Sequence, residues 1–388
     1  MGRRVTVVGG GPAGLMAAEV LATAGVRVVV REQMASVGRK LLVAGRGGLN
    51  LTHSEDLDAF RKRYGAAAPR LSGAIDAFTP TDLRAWCAGL GQEPFVGSSG
   101  RVFPEGFRAT PLLRAWLQRL DVLGVEIRVR DRWQPWDATD ADAIVLALGG
   151  ASWPRTGSDG AWVDGFRDAG IGVSPLRPAN CGFVVDWTDT FRDRFTGEPM
   201  KNVALSFDGV VARGDAIVAE DGLEAGPVYA LSAALRDAIE QAGHATLNVD
   251  LLPDVDAAAL VARLARRRDK DSASSWLRRA GLPPVSIGVL RESTENRLPG
   301  DPEQMAALVK SVPLRLIATR PIGRAISTAG GVALDAIDDA YMLRSRPGTF
   351  VAGEMLDWEA PTGGYLLQAT FSTAVAAARG ALAWLEKS

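Results

Sequence analysis

The chain opens on a short apolar run that stops abruptly. Val5-Thr6-Val7-Val8 favours a strand, and Gly9-Gly10-Gly11-Pro12-Ala13-Gly14 breaks it. An apolar run bounded by glycine predicts a buried strand. Over the next dozen residues the period changes. Glu19 and Thr23 are its polar positions, spaced i, i+4, and nearly every other position is apolar, so a largely buried helix is predicted. Gly25 is placed to close it. Val26-Arg27-Val28-Val29-Val30 then predicts a second strand that ends at Arg31-Glu32.

Residues 37–53 carry glycines and cations with only short apolar runs, and read as a loop that wraps a ligand. Residues 54–100 look mainly helical, with a short amphipathic helix over 82–90. Residues 101–104 are extended. Thr110 is placed to cap a helix opened by Pro111 and closed by Gly124. Val125, Ile127 and Val129 alternate, which predicts a strand over 125–133. Residues 141–150 are apolar on both faces and end in a glycine pair, as a buried parallel strand would. Composition changes near Asn180. Short alternating segments follow to about 250, then a basic helical stretch over 254–310. A last buried strand is predicted over 349–354, and Gly363-Gly364-Tyr365 begins a long helix to about Leu385. The fold class is therefore α/β: a Rossmann-like domain assembled from residues 1–185 and 320–388, with an insert over 186–319 that is β-rich to 253 and helical over 254–310.

The first turn has a chemistry. Gly9 permits a tight strand-to-helix turn, Gly11 lets a pyrophosphate approach the backbone, and Gly14 lets the helix lie close to the sheet. Pro12 suits the first helical position, and the free amides from Ala13 onward sit at the positive end of the helix dipole. Glu32 falls 18 residues after Gly14, near the usual place of a carboxylate that accepts from ribose hydroxyls, with Gln33 beside it. An acid there favours an unphosphorylated ribose, so FAD or NAD is expected rather than NADP. In the glycine-rich loop, Arg39, Lys40, Leu41, Gly45, Gly47, Gly48 and Asn50 are the candidate cofactor contacts. Ala147, Leu148 and Gly149 end the buried strand and join them, and analogy with related flavoproteins makes Trp133, at the end of its strand, a candidate contact for adenine.

The C-terminal stretch turns the choice toward a flavin. Gly353-Glu354 ends a strand, Asp357 lies in the loop, and Gly363, Gly364 and Tyr365 start a helix. Such an acid can accept from a ribityl hydroxyl, and such a helix start stabilises negative charge that develops on the flavin ring on reduction. Lys40, His53 and Tyr365 are the candidate catalytic residues, with Arg46 and Cys181 as further proton donors or substrate binders.

Composition narrows the partners. The chain has 388 residues, 47% hydrophobic and 23% charged, which implies a globular protein of two or three domains. A net charge of −1 gives no global pull toward nucleic acid or membrane. The two cysteines point to a reducing, cytoplasmic setting, and with two histidines they leave no metal site in view. No apolar run is long enough to span a membrane. A monomer or a homodimer is compatible with the sequence.

Taken together, the blocks Gly9–Gly14, Gly38-Arg39-Lys40-Leu41-Leu42, Gly45–Thr52, Ala147–Pro154, Gly353–Asp357 and Thr362–Tyr365 resemble the BaiN/YhiN-type family of FAD-dependent oxidoreductases, in the same order and over the whole chain. The resemblance implies a glutathione-reductase-like FAD domain built from both chain ends, with a β-barrel plus helical domain inserted. It also implies flavin hydride transfer, as in reduction of a conjugated C=C bond or oxidation of an amine in a small organic substrate. Alternatives are an RNA-modifying flavoenzyme of the dihydrouridine-forming kind, which the basic run over 263–279 would serve, and a non-catalytic flavoprotein. Where many members of the family carry a cysteine in the glycine loop, this chain has Leu49, which disfavours RNA as a partner if that thiol is the acid. No second Gly-x-Gly-x-x-Gly occurs, so NADH or NADPH, if used, visits the flavin transiently rather than occupying a domain of its own.

Overall fold

The computed structural model describes residues 2–137 and 139–388, apart from the side chain of Arg46. Strand β1 (Arg4–Val8), helix α1 (Pro12–Thr23) and strand β2 (Arg27–Glu32) stand where the apolar pattern puts them. β1 and β2 pair in parallel, with Val5 opposite Val28 and Val7 opposite Val30. On its other edge β1 pairs in parallel with Ala143–Leu146, which pairs in turn with Thr349–Val351, while Glu126–Val129 lies outside β2. The chain thus leaves β1 to one side and later returns to its other side. In a parallel sheet that reversal opens a crevice at the carboxyl ends of the strands.

A parallel sheet has to be covered. α1 packs on β1 and β2 and against the C-terminal helix Tyr365–Lys387, which itself packs on Ala143–Leu146 and Thr349–Val351. Helix α1 carries one acid into this core. Glu19 is buried, accepts from the indole nitrogens of Trp116 at 2.6 Å and Trp86 at 3.1 Å, and pairs with Arg119 at 3.0 Å. Of the two polar positions of α1, Thr23 is exposed, whereas Glu19 lies inside the core. It is a buried carboxylate held by donors from two other helices, which is what makes its burial tolerable.

Three further boundaries differ from the sequence reading. Within the glycine-rich loop, Arg39–Ala44 forms a helix, α2, because Gly38 adopts a left-handed conformation at its start and Leu41 is buried. Thr110 lies inside the helix Ala109–Val122 rather than capping it. The helix read as 82–90 is Pro80–Ala88, moved forward by a capping box in which Thr79 and Asp82 exchange hydrogen bonds.

The chain divides into two compact units, residues 1–178 with 326–388, and residues 179–325. The sequence reading set its joints at 185/186 and 319/320. The second unit has its own hydrophobic core and a seven-stranded sheet. The sheet begins at Val312–Leu316 and ends at Ala318–Thr319, which is one chain segment interrupted at Ile317. Its front half pairs with Ala245–Asp250 and its back half with Phe183–Val184, so the sheet closes on itself as a barrel. Four helices, from Ala257–Leu264 to Pro302–Lys310, follow the strand Ala245–Asp250. Their basic run is partly committed to the fold: Arg267 lies over the Trp276 ring at 4.5 Å, and Arg279 pairs with Asp271. Among the described residues no helix is long and apolar enough to cross a membrane.

Two outcomes follow from the first unit's core. Trp116 is fully buried, edge-on to Trp86 at 4.8 Å, and truncation also removes the shortest of the hydrogen bonds to the buried Glu19 carboxylate. Trp116→Ala is expected to cost about 3–5 kcal/mol, read as a lower denaturant midpoint at unchanged m-value. Burial pushes the Cys87 thiol up to about 12, and its Sγ donates to the Gln92 carbonyl at 3.0 Å. The native protein should therefore leave Cys87 unmodified by a disulfide reagent at pH 8, and unfolding should release it.

Candidate cofactor-binding and active site

The site grows out of the turn between β1 and α1. Gly9 has φ +105°, and a Cβ there would strike the carbonyl of Ala147 on the neighbouring strand. A Cβ on Gly14 would strike the carbonyl of Gly9, so helix and strand approach too closely for any other residue. At Gly11 a Cβ would point into open space on the cavity side. No side chain caps α1, and its first internal bond runs from the Leu15 amide to Gly11. The amide of Ala13, which lines the cavity, is thus left for an anion. Glu32, buried at the end of β2, accepts from the Gly10 amide at 2.8 Å and from the Met34 amide at 2.7 Å. Besides lining the crevice, it holds the glycine turn in shape, a second task that its spacing in the chain does not reveal.

A cavity of about 420 Å³ runs from this turn. Glu32, Gln33 and Trp133 line one part of it, with Asp131 and Pro135. Gly9, Gly11, Pro12 and Ala13 line it beside Ala147, Leu148 and Gly149. Arg39, Lys40 and Leu41 of α2 line it with Gly48 and Asn50. Glu354, Gly363 and Gly364 line it beside the start of the C-terminal helix. These pieces lie hundreds of residues apart in the chain.

The lining fits an extended dinucleotide. Arg39 Nε, Asn50 Oδ1 and Ser158 Oγ are buried without a hydrogen-bond partner among the described residues, and all three residues line the cavity. Buried polar atoms need partners, and FAD offers phosphates, hydroxyls and ring carbonyls that would supply them. Ser158 is the contact that sequence reading missed. Its signal was the Thr156-Gly157-Ser158-Asp159-Gly160 turn just past the buried strand. Residues 363–364 add a second helix start, where Gly364 has φ +99° and no side chain caps the helix.

Several expected contacts stand behind the lining rather than in it. Gly14 lies in the helix–strand contact, and Gly45 packs against Ala109. Gly353 lies under Ala13, with its amide donating to Thr373 Oγ1 at 3.0 Å. Asp357 accepts from the Ser174 hydroxyl at 2.5 Å. Gly47 is exposed and does not line the cavity.

Of the candidate catalytic groups among the described residues, only Lys40 lines the cavity. Its ammonium lies 2.5 Å from Glu354 and 2.6 Å from the Ser152 hydroxyl. The ring nitrogens of His53 are both engaged. The Glu55 amide donates to Nδ1 at 3.1 Å, so Nε2 bears the proton and faces the Ser99 carbonyl at 3.0 Å. The imidazole stacks on Tyr365 at 5.4 Å. Tyr365 itself is buried, and burial, then its hydrogen bond to Glu55, raises the phenol well above its ordinary value. His53 and Tyr365 thus brace the start of the C-terminal helix from behind. The side chain of Arg46 lies outside the described residues. Cys181 is buried in the other unit. Leu49 is fully buried and lines the cavity, so its side chain can exclude water but cannot move a proton.

Comparison with known proteins places this geometry. The chain is 25% identical over 415 residues to a 3-dehydro-bile acid delta(4,6)-reductase of Clostridium scindens, with 97% of this chain and 98% of the relative covered. Among solved structures, a 3-ketosteroid delta1-dehydrogenase from Sterolibacterium denitrificans in complex with 1,4-androstadiene-3,17-dione superposes with TM-score 0.51 at 12% identity, covering 98% of this chain and 99% of that one. Mycobacterium smegmatis Sdh1 in complex with UQ1 gives TM-score 0.51 at 15% identity, covering 99% and 69%. At those identities the likeness is one of fold. The family model of the HI0933-like protein Rossmann domain matches residues 3–380. With nearly its whole length under that one model, the chain belongs to the HI0933-like family, the group of FAD-dependent oxidoreductases that its sequence blocks resemble.

Proposed function

We propose that this oxidoreductase reduces a C=C bond conjugated to a carbonyl in a small, largely apolar organic substrate, with NADH or NADPH as a transient electron donor. The observation that carries this reading is the end-to-end match to a protein named as a 3-dehydro-bile acid delta(4,6)-reductase. It favours C=C reduction over amine oxidation. That the chain has only two cysteines supports a reducing, cytoplasmic setting.

Bound FAD supplies hydride transfer, and the protein supplies binding, orientation and water exclusion. In this reading the Ala13 amide at the start of α1 and the Arg39 guanidinium would hold the pyrophosphate, and Glu32 would accept from the adenosine ribose. Trp133 lies along the adenine. Asn50 and Ser158 give their orphaned oxygens to hydroxyl or N–H donors. Glu354 takes the ribityl chain, and the uncapped amides of the C-terminal helix stabilise charge at the flavin's pyrimidine edge. Leu49, buried in the cavity lining, would help to keep water from the bound flavin. The loop position where relatives carry a thiol offers no proton here.

The purified protein should be yellow. Anaerobic NADH or NADPH should bleach it, and a conjugated enone should restore the colour while an isolated alkene does not. Recovery of colour with every acceptor except enones would overturn the substrate class. Glu32→Ala should weaken FAD binding by roughly tenfold or more, read as flavin lost on dialysis, because both the ribose contact and the brace on Gly10 are lost. Full flavin occupancy after dialysis would remove Glu32 from the site.

A further inference from the structure

The cavity holds one ion pair whose partners come from opposite ends of the chain. Lys40 projects from α2, and Glu354 follows the strand Thr349–Val351. Their charged atoms are 2.5 Å apart, and both side chains are mostly shielded, at 24% and 15% exposure. The Lys40 ammonium also donates to Ser152 Oγ at 2.6 Å, and Ser152 is fully buried. Glu354 accepts in addition from the Thr328 amide at 3.1 Å. The Thr328 hydroxyl in turn accepts from the amides of Ala151 and Ser152 at 2.9 and 3.2 Å. Four separate chain segments are thus tied at one point on the cavity wall.

We infer that Lys40 is a positioning residue: it neutralises Glu354, so that this carboxylate binds the cofactor without imposing a negative field on the flavin. The inference rests on the reading of the cavity as an FAD site. A largely shielded carboxylate is stabilised by a counter-charge, and Lys40 supplies it through a pair rather than by donating a proton to substrate. Reduction adds negative charge to the isoalloxazine. A lone carboxylate alongside would oppose that charge, and in a shielded pocket the opposition is weakly screened. A neutral pair lets Glu354 keep its hydrogen-bond acceptors and lose its electrostatic penalty. Ser152 holds the ammonium on the carboxylate, which explains a fully buried hydroxyl whose own chain neighbours are tied to Thr328.

The test is the midpoint potential of the FAD-loaded protein, measured by dye equilibration, with FAD affinity as the second readout. Lys40→Met should lower the potential by at least the equivalent of a tenfold shift in the oxidised-to-reduced ratio, about 30 mV for a two-electron couple. Glu354→Gln should raise it by a similar amount, because the lysine is then the unpaired charge. The double variant K40M/E354Q should return close to wild type, and Lys40→Arg should stay there. An unchanged potential in Lys40→Met, or a double variant as low as Lys40→Met alone, overturns the inference. If Lys40→Met does not fold, Glu354→Gln decides alone: a rise supports the pairing role and no change ends it. A wild-type protein that takes up no FAD would instead defeat the cofactor reading itself, so the two failures are distinguishable.

Discussion

The approach of α1 to the end of β1 is the contact on which the first unit's site depends. Gly14 sits against the carbonyl of Gly9, and Gly9 sits against that of Ala147. Two backbones meet without side chains between them. This sets where the free amides of the helix start point and brings the neighbouring strand's end, Ala147 to Gly149, to the same crevice. Glu32 then fixes the turn from the side by taking the Gly10 amide. Without that carboxylate the amide of Gly10 would be a buried donor without a partner, so binding and shape are served by one residue.

The unit is closed by long-range polar contacts buried in apolar surroundings. Glu19 on α1 gathers Trp86, Trp116 and Arg119, which fastens two later helices to the first one. Lys40 and Glu354 join the two chain ends at the cavity. The Tyr64 hydroxyl donates to the Tyr365 carbonyl at 2.8 Å, His53 stacks on the Tyr365 ring, and Phe60 packs tilted against it. Each contact is costly to bury alone and stable only when complete. They therefore make the site's geometry an all-or-nothing feature of the assembled unit.

This explains why residues that look reactive in the sequence are structural in the fold. His53 and Tyr365 follow or begin glycine-rich stretches, and such positions suggest chemistry. Their side chains do not line the cavity: Thr52 and His53 pair with Arg101 and Val102 as a strand, Gly364 lies against the Thr52 backbone, and the imidazole and phenol rings stack on each other. The helix inside the glycine loop has the same origin. Arg39 to Ala44 are good helix formers, but glycines on either side conceal them, and only burial of Leu41 makes the turn worthwhile.

By itself the sequence determined the first strand–turn–helix–strand unit, the parallel sheet built from both chain ends, the interruption between them and the cofactor class. Those features are local: apolar period, glycine spacing and an acid at a set distance act within some thirty residues or repeat a pattern seen as a block. Only the tertiary structure decided the rest. It gathered two indoles and a guanidinium on the buried Glu19, closed the inserted sheet through the split strand around Ile317, exposed Ser158 to the cavity and set Lys40 on Glu354. In each of these the partner is distant along the chain, and which polar atoms meet depends on packing that no local pattern encodes.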